Sequence, residues 1–208
     1  MSRLPNALKT ASVWATTNRR DNIIQINLNE HLIRLCKIHA EKCTLGGNSQ
    51  IHQSRDKRSV ILSEDQLVGQ VTTCAASEWL NKDNGRAYDK ERKIRNKNPY
   101  EGDGGIDLYP YPIDVKGSKI RRKNKPLPTY TLPVRPKELH EDCIYVLALA
   151  DLDDMCVYLV GWASYEMFSK YPESSGIFKG AHTLKANALN IMPKTSMSKI
   201  RKLKVMGL

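Results

Sequence analysis

Gly104-Gly105-Ile106-Asp107-Leu108-Tyr109-Pro110-Tyr111-Pro112-Ile113-Asp114-Val115-Lys116-Gly117-Ser118 carries the pattern from which the architecture follows. Its two ends, residues 106–108 and 113–118, alternate apolar and polar side chains, the period of a strand whose faces meet different surroundings. Between them stands Tyr109-Pro110-Tyr111-Pro112, where two prolines favour a bend over a helix. The stretch therefore predicts two short strands joined by a tight turn. Alternation sets Asp114 and Lys116 on one face of the second strand and Ile113 and Val115 on the other, while Asp107 opposes Ile106 and Leu108. If the strands pair across the bend, Asp107, Asp114 and Lys116 converge on one edge of a sheet, two carboxylates and an ammonium between apolar neighbours.

Working outward, Ser63-Glu64-Asp65-Gln66 reads as a capping box preceded by the staple-like Val60-Ile61-Leu62, and it predicts a helix from there to about Leu80. The interior of that helix, Gly69 to Ser77, is rich in small side chains and suits close approach to a sheet. Further upstream, residues 23–45 read as a helix led by a short apolar stretch, capped by Asn27 or Asn29 and stopped by Gly46-Gly47. Downstream, residues 144–150 form an apolar run fit for a central strand. Asp151-Leu152-Asp153-Asp154 turns it, and residues 156–162 return as its hairpin partner. Residues 164–168 suggest a short helix. The order predicts a mixed α/β domain built on one central sheet, residues 61–170, with a helical extension at 1–60 and a basic segment at 171–208 packed on or trailing the core.

A chain of 208 residues with 40% hydrophobic side chains can bury a real core. Its formal net charge of +11 points to a polyanionic partner, with nucleic acid first and an anionic surface or acidic protein second. Basic residues crowd both sides of the predicted strand pair. Arg92, Lys93 and Arg95 precede it, and Lys119, Arg121, Arg122 and Lys123 follow it. Such side chains neutralise phosphates and position a duplex without reading its bases; the competing reading is plain solvated loops. No window holds eighteen consecutive apolar residues, so no membrane span is expected. Met1-Ser2-Arg3-Leu4-Pro5 lacks the apolar core of a secretory leader, and a cytoplasmic location is the expectation. Five cysteines, an odd number without a CxxC, read as small buried hydrophobes in a reducing compartment.

Two carboxylates beside an ammonium suit a hard divalent cation. Mg²⁺, with Mn²⁺ as a substitute, is commonly held by one or two carboxylates plus substrate phosphate and water. Asp107 and Asp114 would supply the oxygens and the Val115 carbonyl a further ligand. Lys116 would position or deprotonate the attacking water, or stabilise charge developing on phosphorus. An Asp-x-Lys tripeptide is common, and by spacing alone a solvated surface pair is the competing reading.

The pattern of small-residue helix, Gly102-Asp103-Gly104-Gly105-Ile106-Asp107, Asp114-Val115-Lys116-Gly117-Ser118 and apolar hairpin resembles the PD-(D/E)XK nuclease superfamily, found in restriction enzymes and small phage nucleases. The resemblance spans roughly residues 63–165. It implies an α/β fold with a restriction-endonuclease-like core, a central mixed sheet flanked by helices. It also implies a metal-dependent deoxyribonuclease acting as an endonuclease, phage-encoded in its nearest likeness, with a homodimer among the assemblies used by such enzymes. Many members carry a metal-supporting glutamate in the first helix. Gln70 stands at the corresponding place here, with Glu64 and Glu78 on the same helix as substitutes. The alternative is a catalytically inactive DNA-binding or virion-associated protein on the same fold.

Overall fold

The computed structural model describes residues 23–46, 59–80, 107–108, 111–121, 125–171, 173–175 and 178–193. Its centre is a four-stranded mixed sheet in the order β1-β5-β4-β2, formed by β1 (Ile24–Asn27), β2 (Ile113–Lys119), β4 (Ile144–Asp151) and β5 (Cys156–Ser164). A second, two-stranded antiparallel sheet joins β3 (Thr131–Val134) to β6 (His182–Lys185). The helices are α1 (Glu30–Gly46), α2 (Ser59–Leu80) and the short α3 (Tyr165–Ser169). The mixed α/β sheet flanked by helices agrees with the sequence reading.

β4 runs through the middle and is buried at all eight positions. A strand covered on both faces reads as a continuous apolar run, which is why residues 144–150 stand out in the sequence. The anticipated hairpin is present: β4 and β5 pair antiparallel, from Ile144 opposite Ser164 to Asp151 opposite Cys156. At the turn the Asp154 amide donates to Asp151 Oδ1 at 3.3 Å and Met155 takes a left-handed φ of 49°. On one face, Ile113, Val115, Ile144, Val146, Val157 and Leu159 pack against α1 and α2 through Cys36, Val68, Val71 and Ala75. On the other, Tyr145, Leu147, Tyr158 and Val160 pack under β3, β6 and α3 through Leu132, Val134, Leu184 and Phe168.

The small residues of α2 have the expected use. A Cβ placed on Gly117 would lie 2.4 Å from Thr72 Oγ1 and 3.2 Å from Val68 Cγ1, so the helix backbone rides directly over β2. Its start differs from the sequence reading. α2 begins at Ser59, one turn before the capping box expected at Ser63. Residues 23–45 also divide differently. Ile24–Asn27 is a strand on the edge of the central sheet, paired with β5 from Ile24 opposite Leu159 to Asn27 opposite Cys156. Of the two candidate caps, Asn29 acts: its Oδ1 accepts the Leu32 amide at 2.7 Å at the head of α1.

Residues from the segments expected at 1–60 and 171–208 pack on the central core. Leu28 and Cys36 share a core with β4 and α2, and so does Met192. Trp162 exchanges two backbone hydrogen bonds with Asn190, and the indole N–H groups of Trp162 and Trp79 donate to the carbonyls of Ile191 and Pro193, both at 3.1 Å.

The pairing of β2 is the main departure. The spacing predicts an antiparallel partner at residues 106–108, but β2 pairs with β4, in parallel, from Ile113 opposite Ile144 to Lys119 opposite Ala150. Asp107 and Leu108 lie in a bend beside β2. Pro112 carries no amide hydrogen to donate to a ladder.

Candidate functional site

In a strand the N–H and C=O of one residue point to the same side, and neighbours point to opposite sides. The Ile144 amide donates to the Pro112 carbonyl at 2.8 Å, so Pro112, Asp114 and Lys116 direct their backbone groups towards β4. Ile113 and Val115 direct theirs the other way, and there Asp107 sits. The amides of Asp107 and Leu108 both donate to the Ile113 carbonyl, at 2.8 and 3.2 Å, and Tyr111 N–H closes the turn onto the Leu108 carbonyl at 2.9 Å. Asp107 Oδ2 accepts the Val115 amide at 2.8 Å. Asp107 is therefore fastened along the flank of β2, beside the Val115 backbone.

Asp114 and Lys116 project from the face of β2 opposite α2. The Lys116 ammonium lies 2.8 Å from Asp114 Oδ2 and 3.0 Å from Glu138 Oε2. The Asp114 side chain is only 5% exposed, whereas those of Lys116 and Glu138 are 23% and 27% exposed. The group thus meets solvent at its Lys116–Glu138 side, with Asp114 as its floor.

Glu138 escapes the sequence reading, since it lies 22 residues beyond Lys116 in a proline-rich connection. It ends a 3-10 turn, Pro136–Glu138, and its side chain folds back onto the Arg135 amide at 3.4 Å. Tyr145 holds that turn. Pairing puts Tyr145 opposite Asp114, hence on the same face, and its hydroxyl accepts the His140 amide at 2.7 Å and donates to the Glu138 carbonyl at 2.8 Å. A lone tyrosine hydroxyl in an otherwise apolar central strand is the signal that something polar lies over that strand.

Burial disfavours the charged form of Lys116, but the Asp114 charge and the hydrogen bonds to Asp114 and Glu138 outweigh it and hold the ammonium above its usual range. Burial likewise works against ionised Glu138, and the hydrogen bond and charge of Lys116 overcome it, leaving the carboxyl below its usual range. Cys143 lies beside Asp114. Burial and then the Asp114 charge push its thiol up to about 12, so it is a protonated packing residue.

The remaining candidates fall elsewhere. Gln70 is buried in α2, the helix covering the Ile113–Val115–Gly117 face, and does not share the face of Asp114 and Lys116. Glu64 is ion-paired with Lys119 on that helix side. Glu78 is exposed on α2. Arg121 is exposed just beyond β2. Arg92, Lys93, Arg95, Arg122 and Lys123 lie outside the described residues.

Among the described residues no group of three or more His, Cys, Asp or Glu side chains is placed to hold a metal ion. Asp107 and Asp114 with the Val115 backbone are the oxygens that could hold a hydrated Mg²⁺, and two carboxylates, Asp114 and Glu138, flank the Lys116 ammonium. No protein-family profile, curated protein or solved structure matches this chain. No helix among the described residues is long and apolar enough to cross a membrane.

Proposed function

We propose that the protein is a metal-dependent deoxyribonuclease of the restriction-endonuclease-like class, hydrolysing phosphodiester bonds within DNA. One observation carries the reading: Asp114 and Lys116 share a face with the ammonium seated 2.8 Å from the carboxylate, while Asp107 is fastened to the backbone of the intervening residue. In this reading Asp107, Asp114 and the Val115 carbonyl hold Mg²⁺, or Mn²⁺ in its place. Once bound, the ion supplies Lewis acidity towards the scissile phosphate and lowers the pKa of its water.

Lys116 is seated between the Asp114 and Glu138 carboxylates, which suits its ammonium to orienting the phosphate and stabilising charge developing on it. The 23% exposure of Lys116 leaves it within reach of a phosphate oxygen. The formal charge of +11 draws the polyanion to the protein, and exposed Arg121 stands at the end of the strand that carries the site. Lys119 contributes less than its position suggests, being paired with Glu64.

The test is cleavage of supercoiled plasmid with Mg²⁺ or Mn²⁺ by the wild type beside Asp114→Ala and Lys116→Ala. Loss of metal-dependent cutting by about 10²-fold or more in both variants is expected. Cutting that persists in both variants would refute the site. A second reading, a DNA-binding module without catalysis, draws support from the neutralisation of Lys116 by two carboxylates and from Gln70 standing where a glutamate is usual. Salt-sensitive DNA binding without cleavage by the wild type would favour it.

A further inference from the structure

Lysine is a poor choice for a fixed point charge, because its four-carbon stem leaves the ammonium free to swing. One carboxylate beneath it does not remove that freedom. Lys116 has two, Asp114 in its own strand and Glu138 from the turn above. We propose that Glu138 is a positioning residue of this site, set in place by the Tyr145 hydroxyl, and that it fixes the Lys116 ammonium over the Asp114 carboxylate.

The geometry builds this from the sheet upward. The parallel register of β2 and β4 puts Tyr145 beside Asp114 on one face. Tyr145 is fully buried and its ring packs edge-on against Phe168 at 5.3 Å, so its hydroxyl has a fixed position. That hydroxyl bonds the Glu138 carbonyl and the His140 amide, which pins the backbone on both sides of Leu139. Pro136 stiffens the start of the turn, and the Arg135 amide donates to the Glu138 carboxylate as well. A surface ion pair between two free side chains would hold little. Here one partner is tethered through its own backbone to the strand next to the other. A pinned carboxylate also places the ammonium before any ligand arrives, so no ordering remains to be done in the transition state.

What Lys116 then does in a reaction rests on the nuclease reading; where its ammonium sits does not. The experiment keeps the two apart. The full chain is labelled with ¹⁵N-lysine, and the side-chain ammonium signals are recorded at low temperature, with Lys116→Arg identifying the Lys116 signal. A slowly exchanging Lys116 signal is expected in the wild type. Glu138→Gln and Tyr145→Phe should each speed its hydrogen exchange by about tenfold while the backbone amide spectrum stays that of the wild type. A Lys116 signal in Glu138→Gln as slow as in the wild type would overturn the proposal, as would a wild type in which Lys116 exchanges as fast as the exposed lysines. Tyr145→Phe decides the matter if Glu138→Gln disturbs the backbone spectrum.

On a duplex oligonucleotide, Glu138→Gln should lower kcat about tenfold with KM within about twofold, because the interaction is needed most where charge develops. An effect on KM alone would also count against positioning. If the wild type does not cut at all, the nuclease reading fails and the ammonium signal still decides the role of Glu138.

Discussion

Replacing Gly117 by alanine should force α2 and the central sheet apart. The added Cβ would meet Thr72 Oγ1 at 2.4 Å, and Thr72 Cγ2 and Val68 Cγ1 at 3.2 Å. Thr72 is not a pliable neighbour. It is β-branched, and its hydroxyl donates to the carbonyls of Val68 at 2.8 Å and Gly69 at 3.0 Å in the preceding turn. Rotating it away gives up a buried hydrogen bond, at about 1 kcal/mol. Moving the helix instead opens the packing of Val68, Val71 and Ala75 on β2 and β4. Overpacking of this kind costs about 1–3 kcal/mol, offset by roughly 0.5–1 kcal/mol from removing a glycine from a strand. A net loss of about 1–2 kcal/mol remains, or a fall in Tm of roughly 2–8 °C for a chain of this size.

The assay is urea and thermal unfolding followed by circular dichroism, in a double-mutant cycle with Thr72→Ala, which removes both atoms of Thr72 that the new methyl meets. The cycle should show a coupling of about 1 kcal/mol or more, with Gly117→Ala nearly neutral once Thr72→Ala is present. An equal cost of Gly117→Ala in both backgrounds would refute the placement of α2 over β2. It would also remove the structural reason for a glycine directly after Lys116.

Two further outcomes follow from the electrostatics and the burial. The folded-state pKa of Glu138 lies below that of the unfolded chain, so its stabilising contribution is complete above about pH 4.5 and is lost as pH falls through the lower, folded value. Both partners are partly exposed, so Glu138→Gln should cost less than about 1 kcal/mol at pH 7. The gap to the wild type should close on acidification in chemical unfolding, and a gap that widens there would contradict the assignment. Lys116 behaves in the opposite sense. Its folded pKa is raised, so its contribution is complete at neutral pH and is lost only as pH rises through that value. Four of the five cysteines, Cys36, Cys74, Cys143 and Cys156, are buried thiols. At pH 8 an aromatic disulfide reagent should therefore modify at most one thiol per folded chain and all five after unfolding, whereas rapid reaction of two or more in the folded protein would contradict the packing.

Much of this architecture is legible without coordinates because it rests on periodicity. The alternation in residues 113–118 does separate Ile113 and Val115 from Asp114 and Lys116, and the two sets face different layers. The apolar run at 144–150 is the doubly covered central strand, and the small residues of 69–77 mark where a helix lies against the sheet. Local chemistry misled at Ile24–Asn27, where an apolar lead-in to a helix is an edge strand, and at Ser63, where a capping pattern lies inside α2. Short apolar runs carry no mark of which period they will adopt, and a Ser-x-x-Gln pattern does not reveal whether a helical turn precedes it.

Which side of each element is apolar, that Asp114 and Lys116 share a face, and that the chain is strongly basic could all be read from the residues. These depend on spacing along one element or on composition alone. Only the tertiary structure decided that β2 lies parallel to β4, that Asp107 reaches the Val115 amide from a bend, and that Lys119 is taken by Glu64 from 55 residues away. It likewise decided that Tyr145 brings Glu138 onto Lys116. Strand pairing and register set those contacts, and they arise from which surfaces the whole chain can bury together. No local pattern around Glu138 or Glu64 encodes its partner.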